Sequence, residues 1–150
     1  MADIMKAISL WQPWASLWLS PAKIHETRHW PTRYRGPLVV HAAKRPIDED
    51  IDALAVICSR LFGDDYRHTL PRGALLGVVD LVDCRPTQML FKCAAANSED
   101  EACGDFSEGR FAWRREGFCP FDQPIPWRGA QGLFNVPADA SAPTPKEPKP

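Results

Sequence analysis

The stretch AKIHETRHWPTRYRGPLVVHAAKR, residues 22–45, decides the fold because it holds two strand candidates and most of the chemically active residues. Its letters HETRH, residues 25–29, match the zinc-protease motif H-E-x-x-H. That motif works only on a helix, where side chains four positions apart are neighbours. Pro21 and Pro31 leave a window of nine residues, and histidine and threonine are weak helix formers. The stretch therefore predicts a strand.

A strand separates the two histidines of the motif and groups other residues. Four strand steps span ~13 Å, too far for one zinc ion with bonds of ~2 Å. Glu26, Arg28 and Trp30 share one face, with Lys23 at the strand's entrance. The opposite face would carry Lys23, His25, Thr27 and His29. Glu26 and Arg28 form either part of a ligand site or an ion-pair ladder on the sheet surface.

The remaining segments predict a small mixed domain of strands and helices. Apolar runs at 6–10, 36–44 and 73–84 indicate strands, as do the segments 110–121 and 123–136. Helices are expected after Pro13 and after Pro46. Residues 97–108 are acidic and loop-like, and residues 137–150, with five prolines, predict a flexible tail. We expect one partly closed β barrel with two or three helices over residues 1–136.

Charge is segregated along the chain, although the net charge is only −1. Residues 22–45 hold six Lys or Arg against one Glu, whereas residues 46–66 hold six Asp or Glu against one Arg. A basic segment in a near-neutral protein predicts a local anion site, unless the charges simply cover solvated surface. Five scattered cysteines, no apolar run of ~20 residues and no secretory leader predict a cytoplasmic protein with free thiols that binds no membrane.

Four segments, taken in order, resemble the ASCH domain, which is named after activating signal cointegrator homology. They are ISLWQPWASLW (8–18), the stretch 22–45, GALLGVVDLVDC (73–84) and IPWRGAQGLFNV (125–136). The resemblance covers about residues 5–136. It implies an α+β, PUA-like fold, a small mixed β barrel with flanking helices. It also implies a cleft that binds RNA or a nucleotide-like ligand. We expect neither a cofactor nor a metal.

The resemblance also assigns residues to that cleft. The candidate catalytic residues are Lys23, Glu26 and Asp80. The candidate ligand-binding residues are Gln12, Trp14, Arg28, Tyr34, Arg35, His41 and Lys44. Trp30 is added from its residue type, because its ring could stack on an unpaired base. Similar bacterial amidohydrolases, which act on an acylated cytidine, carry Lys-x-x-Thr-x-Arg and a later acidic residue. Here Lys23 and Arg28 match that pattern and Asp80 fits the acidic position, but Glu26 replaces the threonine.

The residue types suit recognition of a nucleotide. Arginines at 28 and 35 are planar donors for a phosphate or a base edge. A tryptophan at 14, 30 or 113 would stack on an unpaired base, which contributes ~1–3 kcal/mol. The other reading of each tryptophan is core packing, and we assign Trp11 and Trp18 to the core.

The same residues are also compatible with catalysis. Glu26 can accept a hydrogen bond from an exocyclic amino group or act as a general base. Lys23 could stabilise an oxyanion, and His41 is either an acid/base group or a structural residue. Three hypotheses follow: a module that binds RNA, including single strands, or a nucleotide; a hydrolase of a modified nucleoside or of RNA; and a protein-interaction module using residues 97–108 and the tail.

Overall fold

The computed structural model of the protein describes residues 3–47, 52–93 and 98–141. The strands are β1 (Ile4–Leu10), β2 (His25–Arg28), β3 (Gly36–Ala42), β4 (Ala74–Pro86), β5 (Phe111–Pro126) and β6 (Leu133–Pro137). The helices are α1 (Trp14–Trp18), α2 (Asp52–Phe62), α3 (Tyr66–Thr69), α4 (Gln88–Cys93), α5 (Ser98–Ala102) and α6 (Ala138–Ser141). The strands form one mixed sheet in the order β2-β5-β4-β3-β1-β6, which confirms the α+β class.

The sheet has the mixed, bent form that the sequence predicts. β1 pairs in parallel with β3, with Ser9 opposite His41, and every other ladder is antiparallel. The β4–β5 ladder shifts register near Gly77. A side chain on Gly77 would lie 2.6 Å from the carbonyl oxygen of Cys119, so only glycine fits this bend. β2 and β6 stand at opposite edges, so within the described residues the barrel-like sheet is open.

Two apolar clusters place α1 between the sheet and α2. The cluster on the sheet contains Ile8, Leu10, Trp18, Leu38, Val40, Leu81 and Trp113. The cluster under α2 contains Leu17, Leu54, Ile57, Cys58, Tyr66 and Cys103. Leu17 and Trp18 are adjacent in α1 and point into different clusters, so this five-residue helix holds both layers together.

Several elements differ from the sequence expectation. The described residues contain six helical segments rather than two or three, and all but α2 and α4 have at most five residues. α5 lies inside the segment 97–108, which the sequence predicts as a loop. The helix expected after Pro46 is seen from Asp52 onward, because residues 48–51 lie outside the described residues.

The chain near residue 137 is ordered. β6 extends to Pro137, and α6 covers the first four residues of the segment that the sequence predicts as a flexible tail. The rest of that segment, residues 142–150, lies outside the described residues. The domain boundary at residue 136 stays a prediction.

The cysteines in the described ranges are free thiols. They are Cys58, Cys84, Cys103 and Cys119. Burial raises the pKa of Cys58 to about 12 and that of Cys103 to about 11.

Of the helices in the described ranges, none has both the length and the apolar character needed to cross a membrane.

Candidate functional site

A cavity of about 580 Å³ lies beside β2. Its polar lining is Ser9, Lys23, Glu26, Thr27, Arg28, His29, Asp105 and Arg110. Its apolar lining includes Trp11, Trp14 and Leu54. The residues therefore come from the ends of β1 and β2, from α1 and α2, and from the segment after α5. This volume falls in the range of small-molecule sites.

Lys23 is fully buried and its ammonium group is saturated with acceptors. The side chain is 0% exposed. Nζ donates to the carbonyl oxygens of His25 at 2.8 Å and Cys103 at 2.7 Å, and it lies 3.2 Å from Oε1 of Glu26. A lysine ammonium has three donors, and three oxygens surround this one. Lys23 thus joins α5 to β2 and supplies a positive charge behind Glu26.

Glu26 lies between two cations at the wall of the cavity. One carboxylate oxygen contacts Lys23, and the other lies 3.4 Å from Nη1 of Arg28. A carboxylate has about four acceptor positions, so these two contacts leave acceptor capacity. Glu26 is 6% exposed, and that exposed part lines the cavity. A donor group on a ligand is the partner that this carboxylate can take.

Two arginines flank the cavity and differ in how firmly they are held. Arg110 donates to the carbonyl oxygens of Thr27 at 3.0 Å and Asp105 at 3.1 Å. Arg28 has the long contact with Glu26, and its guanidinium carbon lies 5.9 Å from the ring centroid of Trp30. Its buried Nε has no hydrogen-bond partner in the described part of the chain. An unpaired buried donor is costly. Arg28 is therefore the arginine whose donors remain for a ligand.

Tryptophans form the aromatic wall of the cavity. Trp14 is half-buried, as expected for a contact residue. Trp11, which the sequence assigned to the core, is 52% exposed and lines the cavity instead. The guanidinium carbon of Arg45 lies 4.0 Å from the ring centroid of Trp11, within cation–π range. Trp18 is in the core as predicted, and the stacking candidate Trp113 is fully buried there too.

The two histidines of HETRH have different surroundings. His25 lies in a strand, and its Nδ1 is 2.6 Å from Oδ2 of Asp100. The other carboxylate oxygen of Asp100 accepts the backbone N–H groups of Ile24 and His25. His29, at the other end of the motif, lines the cavity. No group of three or more His, Cys, Asp or Glu in the described ranges could hold a metal ion.

Asp100 is held as a carboxylate in the interior. It is 0% exposed. Burial alone would raise the pKa of this carboxyl, but hydrogen bonds from the side chain and backbone of His25 and from Ile24 outweigh burial and lower it. The contacts between α5 and β2 therefore depend on an ionised side chain, although the sequence presents Asp100 as one acid in a solvated run.

A second cavity, of about 940 Å³, contains two of the predicted ligand residues, His41 and Lys44. Nε2 of His41 lies 2.7 Å from the carbonyl oxygen of Trp127. Because a carbonyl can only accept, Nε2 carries the proton and Nδ1 accepts from the hydroxyl of Ser9 at 2.9 Å. Burial lowers the pKa of His41, against a raising effect of the Trp127 carbonyl. His41 is thus a neutral, oriented histidine.

Five predicted site residues line neither cavity. They are Gln12, Trp30, Tyr34, Arg35 and Asp80. The buried amide of Gln12 is bonded to Ser16 and to the carbonyl of Pro71, and Trp30 stacks edge-on against Trp113 at 4.8 Å. These two side chains therefore have structural partners in place of a ligand.

The other three lie around the start of β3. The Tyr34 hydroxyl donates to the carbonyl of Pro37, and Arg35 donates to the carbonyls of Thr32 and Tyr34. Asp80 is exposed on β4, opposite Pro37. Its carboxylate is separate from the cavity that contains Lys23 and Glu26, because alternation along β4 turns it to solvent.

Sequence reasoning missed Arg110 and Arg128 as lining residues. Arg128 lies inside the segment 125–136 that carries the family resemblance, so that motif could have pointed to it. Arg110 opens the segment 110–121, which the sequence predicts as a strand, and Asp105 lies in the acidic segment 97–108. Neither pattern indicates a cavity. The two residues reach the cavity because the chain after α5 runs along the free edge of β2, where Arg110 binds the carbonyl of Thr27.

The mixed sheet, the short flanking helices and the polar, tryptophan-lined cavity define a small PUA-like α+β domain. Residues 8–121 match the ASCH domain, and the chain belongs to that family.

Curated relatives agree with this assignment, and solved structures agree with the fold. The chain is 41% identical over 80 residues to activating signal cointegrator 1 of Homo sapiens, and equally to that of Mus musculus. That match covers 51% of this chain but only 14% of the relative's length. The ASCH protein of Zymomonas mobilis superposes with a TM-score of 0.55 at 17% identity over 93% of this chain and 92% of its own. A single-residue variant of that protein gives 0.53 at 18%, over 91% and 90%.

Proposed function

We propose that this ASCH domain binds single-stranded RNA or a nucleotide in the cavity beside β2. One observation carries the proposal: a single cavity combines a carboxylate held between two cations with two tryptophan rings. The resemblance to the ASCH domain implies the same class of ligand. Membership in the family supports this proposal, and the lining of the cavity supports the choice of residues.

Each part of the cavity has a counterpart in a nucleotide. Trp11 and Trp14 offer ring faces to an unpaired base, and stacking tolerates any base. Glu26 accepts from an exocyclic amino group, as carboxylates do from cytosine. Arg28 supplies donors to a phosphate or to a base edge. A base held by Glu26 and Trp14 would leave its phosphate near Arg28.

The decisive experiment compares two arginine variants. Arg28→Ala should weaken binding of a fluorescein-labelled single-stranded RNA by ~10-fold, because a charge-assisted bidentate contact is worth ~1–3 kcal/mol. Arg33→Ala removes the same charge from an exposed neighbour outside the cavity and should change affinity less than about twofold. Fluorescence anisotropy at low salt, with unlabelled CMP, UMP, AMP and GMP as competitors, measures both variants.

Two results would contradict the proposal. One is the absence of RNA retention by the unmodified chain at low salt, with single-stranded and structured probes alike. The other is equal loss in the two variants, which would show binding by surface charge without the cavity. Circular dichroism melting confirms that each variant is folded.

Hydrolysis of an acylated cytidine or of RNA has weaker support. The three donors of Lys23 are already matched by oxygens, so no proton is left for an oxyanion. Asp80 lies outside the cavity. Turnover of acylated cytidine or labelled RNA that disappears in Glu26→Gln would restore this hypothesis.

The protein-interaction hypothesis also has weaker support. It uses the segment 97–108 as a free surface, but α5, which lies in that segment, packs on β2 through Asp100.

A further inference from the structure

The second cavity differs from the first in charge. Lys44 and Arg128 line it, and no Asp or Glu is among its described lining residues. The first cavity, in contrast, contains the carboxylates of Glu26 and Asp105. The first cavity therefore offers hydrogen-bond acceptors as well as cations. The described charged residues that line the second cavity are all positive, which suits an anion.

The two cavities are neighbours. Ser9 lines both of them. It stands opposite His41 in the parallel β1–β3 ladder, and its hydroxyl is bonded to that ring. Arg45, which directly follows Lys44 in the chain, lies over the ring of Trp11 in the first cavity. Ser9 is therefore the lining residue that the two cavities share.

The walls of the second cavity are tied together before any ligand binds. The stem of Lys44 lies across Gly73, where a side chain would come within 3.0 Å of its Cγ. Gly73 has φ +66 and accepts the N–H of Trp127 at 3.1 Å. The carbonyl of Trp127 receives the proton on Nε2 of His41. These bonds fix the segment that presents Arg128, so the cavity is preorganised.

The Ser9–His41 pair leaves little donor capacity for an anion. The hydroxyl proton of Ser9 goes to His41, whose second nitrogen donates to Trp127. The lowered pKa of His41 keeps the ring uncharged near neutral pH. Among the described residues that line this cavity, the charged donors are therefore Lys44 and Arg128.

We propose that the second cavity is a phosphate subsite for the chain of a single-stranded oligonucleotide whose base occupies the first cavity. This inference rests on the proposed function and narrows its ligand class from a free nucleotide to a strand of two or more nucleotides. In this arrangement Lys44 and Arg128 bind the phosphates, and Glu26 accepts a hydrogen bond from the base. Ser9 lies between the two cavities.

The test compares ligands of increasing length on three proteins. Affinity for CMP, for a dinucleotide and for single-stranded RNA octamers is measured by competition anisotropy. The unmodified chain should bind the octamer ~10-fold more tightly than CMP, since added phosphate contacts release counterions. Lys44→Ala combined with Arg128→Ala should remove most of that gain and leave CMP affinity unchanged within about twofold. The salt slope for the octamer should fall by ~1.4 in the same variant, because each of the two phosphates that it no longer neutralises contributes ~0.7 in a single strand.

The matched control removes two exposed arginines outside both cavities, Arg33→Ala and Arg114→Ala. Equal loss of octamer affinity in this control would overturn the subsite. An unaltered length dependence in the Lys44/Arg128 variant would also overturn the subsite. If Arg28→Ala nevertheless loses CMP binding, the proposed function of the first cavity stands. No binding of any ligand by the unmodified chain would end both. If the alanine variant melts early, Lys44→Gln with Arg128→Gln takes its place.

Discussion

At the scale of single residues, Asp100 and Glu26 show what a sequence pattern can and cannot predict. Glu26 belongs to a local pattern with Arg28, two positions further along the strand, and with Lys23, which reaches it from the strand's entrance. Asp100 stands in the run NSEDE with nothing to distinguish it from its exposed neighbour Glu101. Its burial is set by the docking of α5 on β2, which is a tertiary event.

Replacing Asp100 should be costly for stability. Asp100→Ala leaves the N–H groups of Ile24 and His25 unpaired in the interior, and the free energy of unfolding should fall by ~3 kcal/mol or more. Glu101→Ala, one residue along the same helix but exposed, should change it by less than ~0.5 kcal/mol. Urea denaturation measures both; similar midpoints would contradict the structural role assigned to Asp100.

At the scale of elements, apolar patterning predicted the strands well and the site poorly. β3 and β4 carry apolar runs because most of their residues are covered on both faces, and such runs can be recognised in a sequence. The prediction placed His41 and Lys44 in the same cleft as Glu26. The structure assigns them to a second cavity, since the segment 127–132 packs over the Ser9–His41 pair. No local pattern shows where such a connection will lie.

Gly129 is the point of closest approach of that segment. A methyl group there would come within 2.7 Å of Cε1 of His41. Gly129→Ala should therefore displace the segment, lower the free energy of unfolding by ~1–3 kcal/mol and shift the NMR signals of the His41 ring. Gly117→Ala, where a methyl group meets nothing within 4 Å, is the matched control. An unshifted His41 ring in Gly129→Ala would show that the close contact is absent in solution.

At the scale of the whole molecule, the order of the strands could not be read from the chain. β2 follows α1 in sequence but pairs with β5, more than eighty residues later. Family resemblance, rather than periodicity, gave the PUA-like arrangement, and the open six-stranded sheet agrees with it. Charge along the chain predicts an anion site in the basic segment 22–45, and this stays a prediction. The cations Arg28 and Lys44 of the basic segment 22–45 line the two cavities.

Stability should depend on pH through His41. Its pKa in the folded protein lies below the ordinary 6.5, so the unfolded chain binds more protons between those two values. Stability is therefore complete above about pH 6.5 and declines as the pH falls toward the folded pKa. Urea midpoints between pH 7.5 and 5 should fall in the unmodified chain and in His68→Gln, an exposed control, but less steeply in His41→Gln. Identical slopes in all three would contradict the prediction.

A second decline belongs to Asp100 and lies in a separate acidic range. Because its folded pKa is below the ordinary 3.8, the stability that it contributes is present above 3.8 and lost as the pH falls through the folded value.

The pairing of β1 with β6 has a mechanical consequence. The N–H of Ala138 donates to the carbonyl of Asp3, and the next rung joins Ile4 to Pro137. Tension applied through both sides of the domain therefore enters at one end of an antiparallel ladder. It would break the rungs one after another, from Ile4 toward Ile8, rather than shear them all together. The domain should yield at low force by peeling off β6, while the strands that carry the two cavities stay in place.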